Sequence, residues 1–238
     1  MKTFKSAMMA FASMFFVMNL CSHAGAAPPT RQKEDKVPIQ AQPNVKKIGK
    51  CYGKLATIVG TDGNDNIQGT PGPDIIQGFG GNDTIYGGGG NDRICGGDGD
   101  DKLYGNTGDD VLIGEAGNDK LFDAYGTNLF SGDAGNDTMQ GGSGMDKMLG
   151  GAGNDKLYGN GGDDILQGDA GNDYLDGGPG DDSVAGGGGN DEVHGGTGND
   201  YLSGAWGDDK LDGGAGSDIC KGGNGDNTYV NCETIDDD

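Results

Sequence analysis

Gly78-Phe79-Gly80-Gly81-Asn82-Asp83-Thr84-Ile85-Tyr86 is one copy of a nine-residue unit that runs from Gly60 to Val230 nineteen times, without insertion or deletion. Gly168 to Asp176 is another copy. The fourth position is Gly in all nineteen units, from Gly63 to Gly225, and the first is Gly in eighteen, with Asp123 the departure. The sixth is Asp in seventeen, with Asn128 and Asn227 the exceptions. The eighth is apolar or Cys throughout, from Ile67, Ile76 and Ile85 to Leu211, Cys220 and Tyr229. A period this strict means that each unit stacks on its neighbours.

The chemistry of one unit divides it in two. Six positions rich in Gly, Asn and Asp suit a tight turn with positive φ angles. The other three, such as Thr84-Ile85-Tyr86 or Lys156-Leu157-Tyr158, predict a minimal strand with its middle side chain on one face. Three residues bury too little alone, but stacked copies align their central residues into two inner ladders. Those ladders are the only sizeable core open to a chain that is 32% hydrophobic.

Charge opposes that stacking. Taking alternate units, one loop column carries Asp65, Asp83, Asp101, Asp119, Asp137, Asp155, Asp173, Asp191 and Asp209, and ends at Asn227. The other carries Asp74, Asp92 and Asp110, then Asn128, then Asp146, Asp164, Asp182, Asp200 and Asp218. Equivalent carboxylates about 4.8 Å apart along a strand-stacking axis repel by roughly 3 kcal/mol at an effective dielectric near 20. A divalent cation with a preference for oxygen removes the objection. Calcium accepts carboxylates and backbone carbonyls at flexible geometry, whereas magnesium demands a stricter octahedron. Zinc needs His or thiolate, which the loops lack. These seventeen Asp are therefore the candidate metal ligands, with seventeen gaps between loops as the upper bound on ions. The unit from Asp123 breaks the pattern twice, so a weakened or empty site is expected there.

The unit also resembles the Gly-Gly-x-Gly-x-Asp-x-(apolar)-x nonapeptide of the RTX, or haemolysin-type calcium-binding, repeat. The resemblance covers 171 of 238 residues. It implies an all-β fold: a parallel β-roll, or right-handed β-solenoid, of about nine 18-residue turns, with calcium ions between stacked loops. RTX rolls are often appended to enzymes whose partner domain carries the chemistry.

The remaining segments are read in chain order. Residues 1–26 resemble a secretory signal, with basic Lys2 and Lys5, an apolar run from Ala7 to Leu20 and small residues at Ala24 and Ala26. Residues 27–54 read as a basic linker interrupted by Pro28, Pro29, Pro38 and Pro43. Residues 55–59 should cap the roll, residues 60–230 form it, and residues 231–238 make a C-terminal cap with an acidic tail. Beyond residue 54 the chain has thirty-six acidic residues against seven basic. That balance opposes nucleic-acid binding. The N-terminal apolar run is too short for a membrane span, and a secreted protein is expected.

Removal of residues 1–26 would leave Cys51, Cys95, Cys220 and Cys232, an even count that favours disulfides in an exported chain. Of three pairings, Cys220–Cys232 with Cys51–Cys95 would fasten the two ends, where open sheet edges are otherwise a hazard.

No constellation for catalysis stands out. His194 is the one histidine after the signal segment and reads as an exposed strand residue. Acidic pairs recur with the structural period, whereas a catalytic pair should be singular. About thirty Pro-rich residues precede the roll, too few for an enzyme domain. A non-enzymatic calcium-binding protein that folds with its ions is the expectation. The alternative is an adhesive or matrix protein, the roll acting as spacer. Tyr86, Tyr104, Phe122 and Tyr158, with Lys102, Lys120, Lys156 and Lys210 on the same sheet, would then bind glycans or a cell-envelope partner. The plainer reading of those aromatics is cross-strand packing.

Overall fold

The computed structural model describes residues 50–235; the expected signal and most of the expected linker, within residues 1–49, lie outside the described residues, as do residues 236–238. Two parallel sheets face each other across one core. Ten strands from Asn66–Gln68 to Thr228–Val230 make one sheet, and eleven from Ile58–Val59 to Thr234–Ile235 make the other. Consecutive units alternate between the sheets, so each strand of the repeat pairs with the strand eighteen residues away, as in Ile85 with Leu103 and Ile76 with Ile94. The result is a β-solenoid of about ten turns rather than nine. The extra layer arises because both Ile58–Val59 and Thr234–Ile235 join the eleven-stranded sheet.

The strands are twice the length read from sequence. Thr84–Gly89 is typical: Thr84, Ile85 and Tyr86 pair with the next layer, Gly87 is skipped, and Gly88 and Gly89 pair again. Each unit thus bends at its first residue and turns only over positions four to six. In all units but those of Thr61, Thr70 and Ala124 the second position has positive φ, held by Asn106, Asp133, Asn160 and Asp169 at 68° to 77°.

The inner ladders are the eighth-position residues, nearly all fully buried in one continuous cluster from Ile67 to Cys220. Full burial of one such side chain contributes about 1.5–3 kcal/mol, so the sum over layers offsets the entropy of ordering so many glycines. Phe130, the bulkiest member, has the adaptable Met148 as its partner in the following layer. Ile58, Tyr229 and Cys232 cover the ends of the cluster.

Two disulfides tie the ends, Cys51–Cys95 and Cys220–Cys232. The first one does more than close an edge. Lys50–Cys51 and Lys54–Leu55 form an antiparallel hairpin, in a stretch the sequence assigned mostly to the linker. Cys95, at a ninth position, faces outward. The hairpin therefore lies on the outside of the sheet, where Cys51 packs with Cys95, Ile113, Ile75 and Val111, and the Arg93 guanidinium sits over the Tyr52 ring. The two disulfides span 44 and 12 residues. Loop-closure entropy alone then assigns about 4 kcal/mol to the first and about 3 kcal/mol to the second. Thermal unfolding of the Cys51→Ala/Cys95→Ala and Cys220→Ala/Cys232→Ala proteins should show the larger loss in the first. A larger loss in the second would mean that local packing, not chain entropy, sets the order.

Candidate metal sites between the loops

The turn at positions four to six brings each sixth-position Asp side chain back under its own loop. Its Oδ1 accepts the backbone N–H of the equivalent residue one layer earlier: Asp155 from Asp137 at 2.7 Å, Asp173 from Asp155 at 2.8 Å, and so along both columns. The fifth position bonds in the opposite direction. The Asn136 side-chain oxygen accepts from the Asn154 backbone N–H at 2.7 Å, and Asn154 does the same for Asn172 at 2.8 Å. Asp serves equally well there, as Asp181 does for Asn199 at 2.8 Å. Every turn is thus held to the layer before it and the layer after it. This fifth-position ladder was visible in the sequence only as a column of Asn and Asp; its role needs the bond directions.

The other oxygen of the same carboxylate has no such use. Asp83, Asp92, Asp101, Asp110, Asp119, Asp137, Asp146, Asp155, Asp164, Asp173, Asp182, Asp191, Asp200, Asp209 and Asp218 each bury Oδ2 without a hydrogen-bond partner. These are fifteen of the seventeen Asp picked from sequence. Each Oδ2 points at the first glycine of its own unit, and in most layers the carbonyl of the next layer's first glycine points at the same place. A Cβ on Gly159 would sit 2.6 Å from the Gly177 carbonyl oxygen and closer still to Asp164 Oδ2. The first glycine is therefore required because its missing side chain leaves this space open.

Two acceptors facing one space with no donor between them call for a cation. Among the described residues, no three His, Cys, Asp or Glu side chains converge on one point. An ion here would take one carboxylate with backbone carbonyls, which suits calcium and does not suit zinc.

The column ends are finished differently. Asp65 and Asp74, the remaining two picked from sequence, turn Oδ2 to the N–H and hydroxyl of Thr61 (2.6 and 2.9 Å) and Thr70 (2.7 and 2.8 Å). At the far ends, Asn227 accepts from Asp209 N–H at 2.9 Å, and Glu233 from Asp218 N–H at 2.6 Å. Glu233 stands in for the Asp of a further layer, a role hidden in the sequence because it lies outside the nonapeptide register.

Burial without a counter-charge raises the carboxyl pKa values from their ordinary 3.8. Asp101, Asp119 and Asp164 rise to about 7, and Asp92, Asp137, Asp146, Asp155, Asp173, Asp182 and Asp191 to about 6. Desolvation is the largest cause, the backbone N–H bond opposes it, and for most of them neighbouring carboxylates add to it. Asp110 and Asp123 also rise, again through burial first.

The sequence of this site has a known counterpart. The family model of the RTX calcium-binding nonapeptide repeat matches residues 59–94, 96–122, 124–157, 158–193, 185–220 and 194–229. The chain belongs to the RTX calcium-binding nonapeptide repeat family. A search of curated proteins returns no match. The RTX roll is a calcium-binding structural fold, generally non-enzymatic, and the two disulfides of this chain suit an oxidising compartment.

Other side chains from the sequence reading lie on the outside of the roll. Tyr86, Tyr104 and Phe122 stack on one another at 4.7 and 5.4 Å. Tyr158 meets Tyr174, which meets His194 at 5.3 Å. His194 is half-buried rather than exposed, its Nε2 3.2 Å from Glu192 Oε1, and Lys210 Nζ reaches the same oxygen at 2.6 Å. These rings use their faces on each other, as cross-strand packing requires. No helix among the described residues is long and apolar enough to cross a membrane.

Proposed function

We propose that this chain is an extracellular, non-enzymatic calcium-binding roll whose folding is driven by the ions it binds, with the Oδ2 oxygens of Asp83 to Asp218 and the first-position glycine carbonyls as ligands. The observation that carries this reading is the pair of buried rows of unpartnered carboxylate oxygens, repeated in nearly every layer. Such rows are destabilising unless neutralised, and a divalent ion that binds only the stacked state adds its binding energy to folding by mass action. Without it, a Gly-rich chain of net charge −22 favours an expanded coil. The location rests on the signal-like first 26 residues and the two disulfides, and calcium sites of extracellular modules saturate at about 0.1–1 mM.

Far-UV circular dichroism during calcium addition to a chelated sample at neutral pH tests the reading. Strand signal should appear cooperatively toward millimolar calcium, and Asp155→Asn should move the midpoint upward. A chain with the same strand content in EGTA as in calcium would overturn it.

A further inference from the structure

The irregular unit was expected to weaken or empty one site. Its geometry suggests a relocated carboxylate instead. Asn128, at the sixth position, keeps the structural bond of an Asp, accepting the Asp110 N–H on Oδ1 at 2.9 Å. Its other end is an amide that donates to the Tyr125 carbonyl at 3.2 Å and offers a cation nothing. The missing negative charge reappears five residues earlier. Asp123 replaces the first-position glycine, and its Oδ1 accepts the N–H groups of Ala124 and Tyr125 at 2.8 and 3.3 Å.

That leaves Asp123 Oδ2, buried and without a partner, in a residue only 6% exposed. It points back toward the preceding layer, at Gly105. The Oδ2 of Asp110, also unpartnered and in a residue 1% exposed, points at the same place. A Cβ on Gly105 would collide with both oxygens. At Gly159 the corresponding space lies between one carboxylate and a glycine carbonyl; at Gly105 it lies between two carboxylates.

We propose that Asp110 and Asp123 form a divalent-cation site of different composition from the repeat sites, a second carboxylate replacing the glycine carbonyl, and that it is the tightest calcium site of the roll. The charge argument is direct. One carboxylate with neutral carbonyls leaves a bound doubly charged ion partly uncompensated, whereas two balance it, and calcium affinity in oxygen sites rises with the number of charged ligands. Burial sharpens the difference: no N–H or hydroxyl of another residue reaches either oxygen, so only a proton shared between the two carboxyls or a cation relieves the pair. The site falls near the middle of the array, between the layers of Asp92 and Asp146, where one filled site holds two loops together for layers on either side to stack upon.

This inference rests on calcium binding by the repeats, and its test separates the two. Calcium chloride would be titrated calorimetrically into chelator-stripped wild-type protein at about pH 7.5, beside Asp123→Asn and the double variant Asp123→Gly/Asn128→Asp, which restores the repeat pattern. The wild type should show a first binding step distinct from the rest. Asp123→Asn, which keeps the Oδ1 acceptor, should weaken that step by about tenfold or more. The double variant should bind as many ions, counted by native mass spectrometry, while losing the distinct first step. Circular dichroism at saturating calcium should match in all three, so that loss of fold is not mistaken for loss of a ligand. A first step unchanged in Asp123→Asn, or absent from a wild type that otherwise binds calcium, would overturn the inference and leave the repeat sites standing. A wild type that binds no calcium would remove both.

Discussion

Gly153→Ala should destabilise the calcium-loaded roll by about 3 kcal/mol or more, as much as truncating the fully buried Leu157 to alanine, for which about 2–5 kcal/mol is usual. Two costs add. Gly153 holds φ at +135°, well beyond the left-handed well near +60° that Asn and Asp reach. A Cβ there would also lie 2.5 Å from the Gly135 carbonyl carbon of the previous layer. Because the same contact recurs at the neighbouring layers, the strand spacing leaves the added carbon nowhere to go. Gly188 is the control. Its φ lies outside the left-handed region, a Cβ there would meet its nearest atom at 3.8 Å, and its layer partners Ala170 and Trp206 both carry side chains. Gly188→Ala should therefore cost less than about 1 kcal/mol. Urea unfolding in saturating calcium would measure both. Equal losses in the two glycine variants would mean that position four is fixed by something other than backbone conformation and layer spacing.

That contrast explains what could be read from the chain alone. Nineteen glycines at position four, against a third position shared among Gly, Ala, Asp, Thr, Pro, Ser, Asn, Tyr and Trp, already mark which backbone site admits no side chain. Register followed from the same regularity: an eighteen-residue offset is two units, and the eighth-position column could face only inward. Strand length did not follow, because the second and third residues look like turn residues by composition yet pair with the next layer through their backbone. Nor did the end devices, since Glu233, Thr61, Thr70 and the Lys50–Leu55 hairpin act where the period stops. Asp123 shows the limit most sharply. Counted as two departures from the repeat it reads as a lost site. Only the position of its Oδ2, beside that of Asp110 at Gly105, shows that the two departures bring a second carboxylate to one space.

In chelator, lowering the pH from about 8 to about 5 should raise the strand signal of the metal-free chain rather than abolish it. The buried carboxyls have folded-state pKa values of about 6 to about 7, above the ordinary 3.8. Between those values the stacked state holds more protons than the unfolded one. Their stabilising contribution is therefore fully present below the unfolded value and is lost as the pH rises through 6 to 7. Protons and calcium are then rival counter-ions for the same oxygens. Calcium needs the ionised carboxylate, so its uptake at about pH 6 should release several protons into a weakly buffered solution, and the calcium midpoint should climb as the pH falls. Most acidic proteins in this range lose structure on acidification because their carboxylates are better satisfied folded than unfolded; here the order is reversed. A metal-free chain whose signal stays flat from pH 8 to 5, or calcium uptake without proton release, would mean that the loop carboxylates are not short of counter-charge. The same result would remove the reason for an ion between the layers.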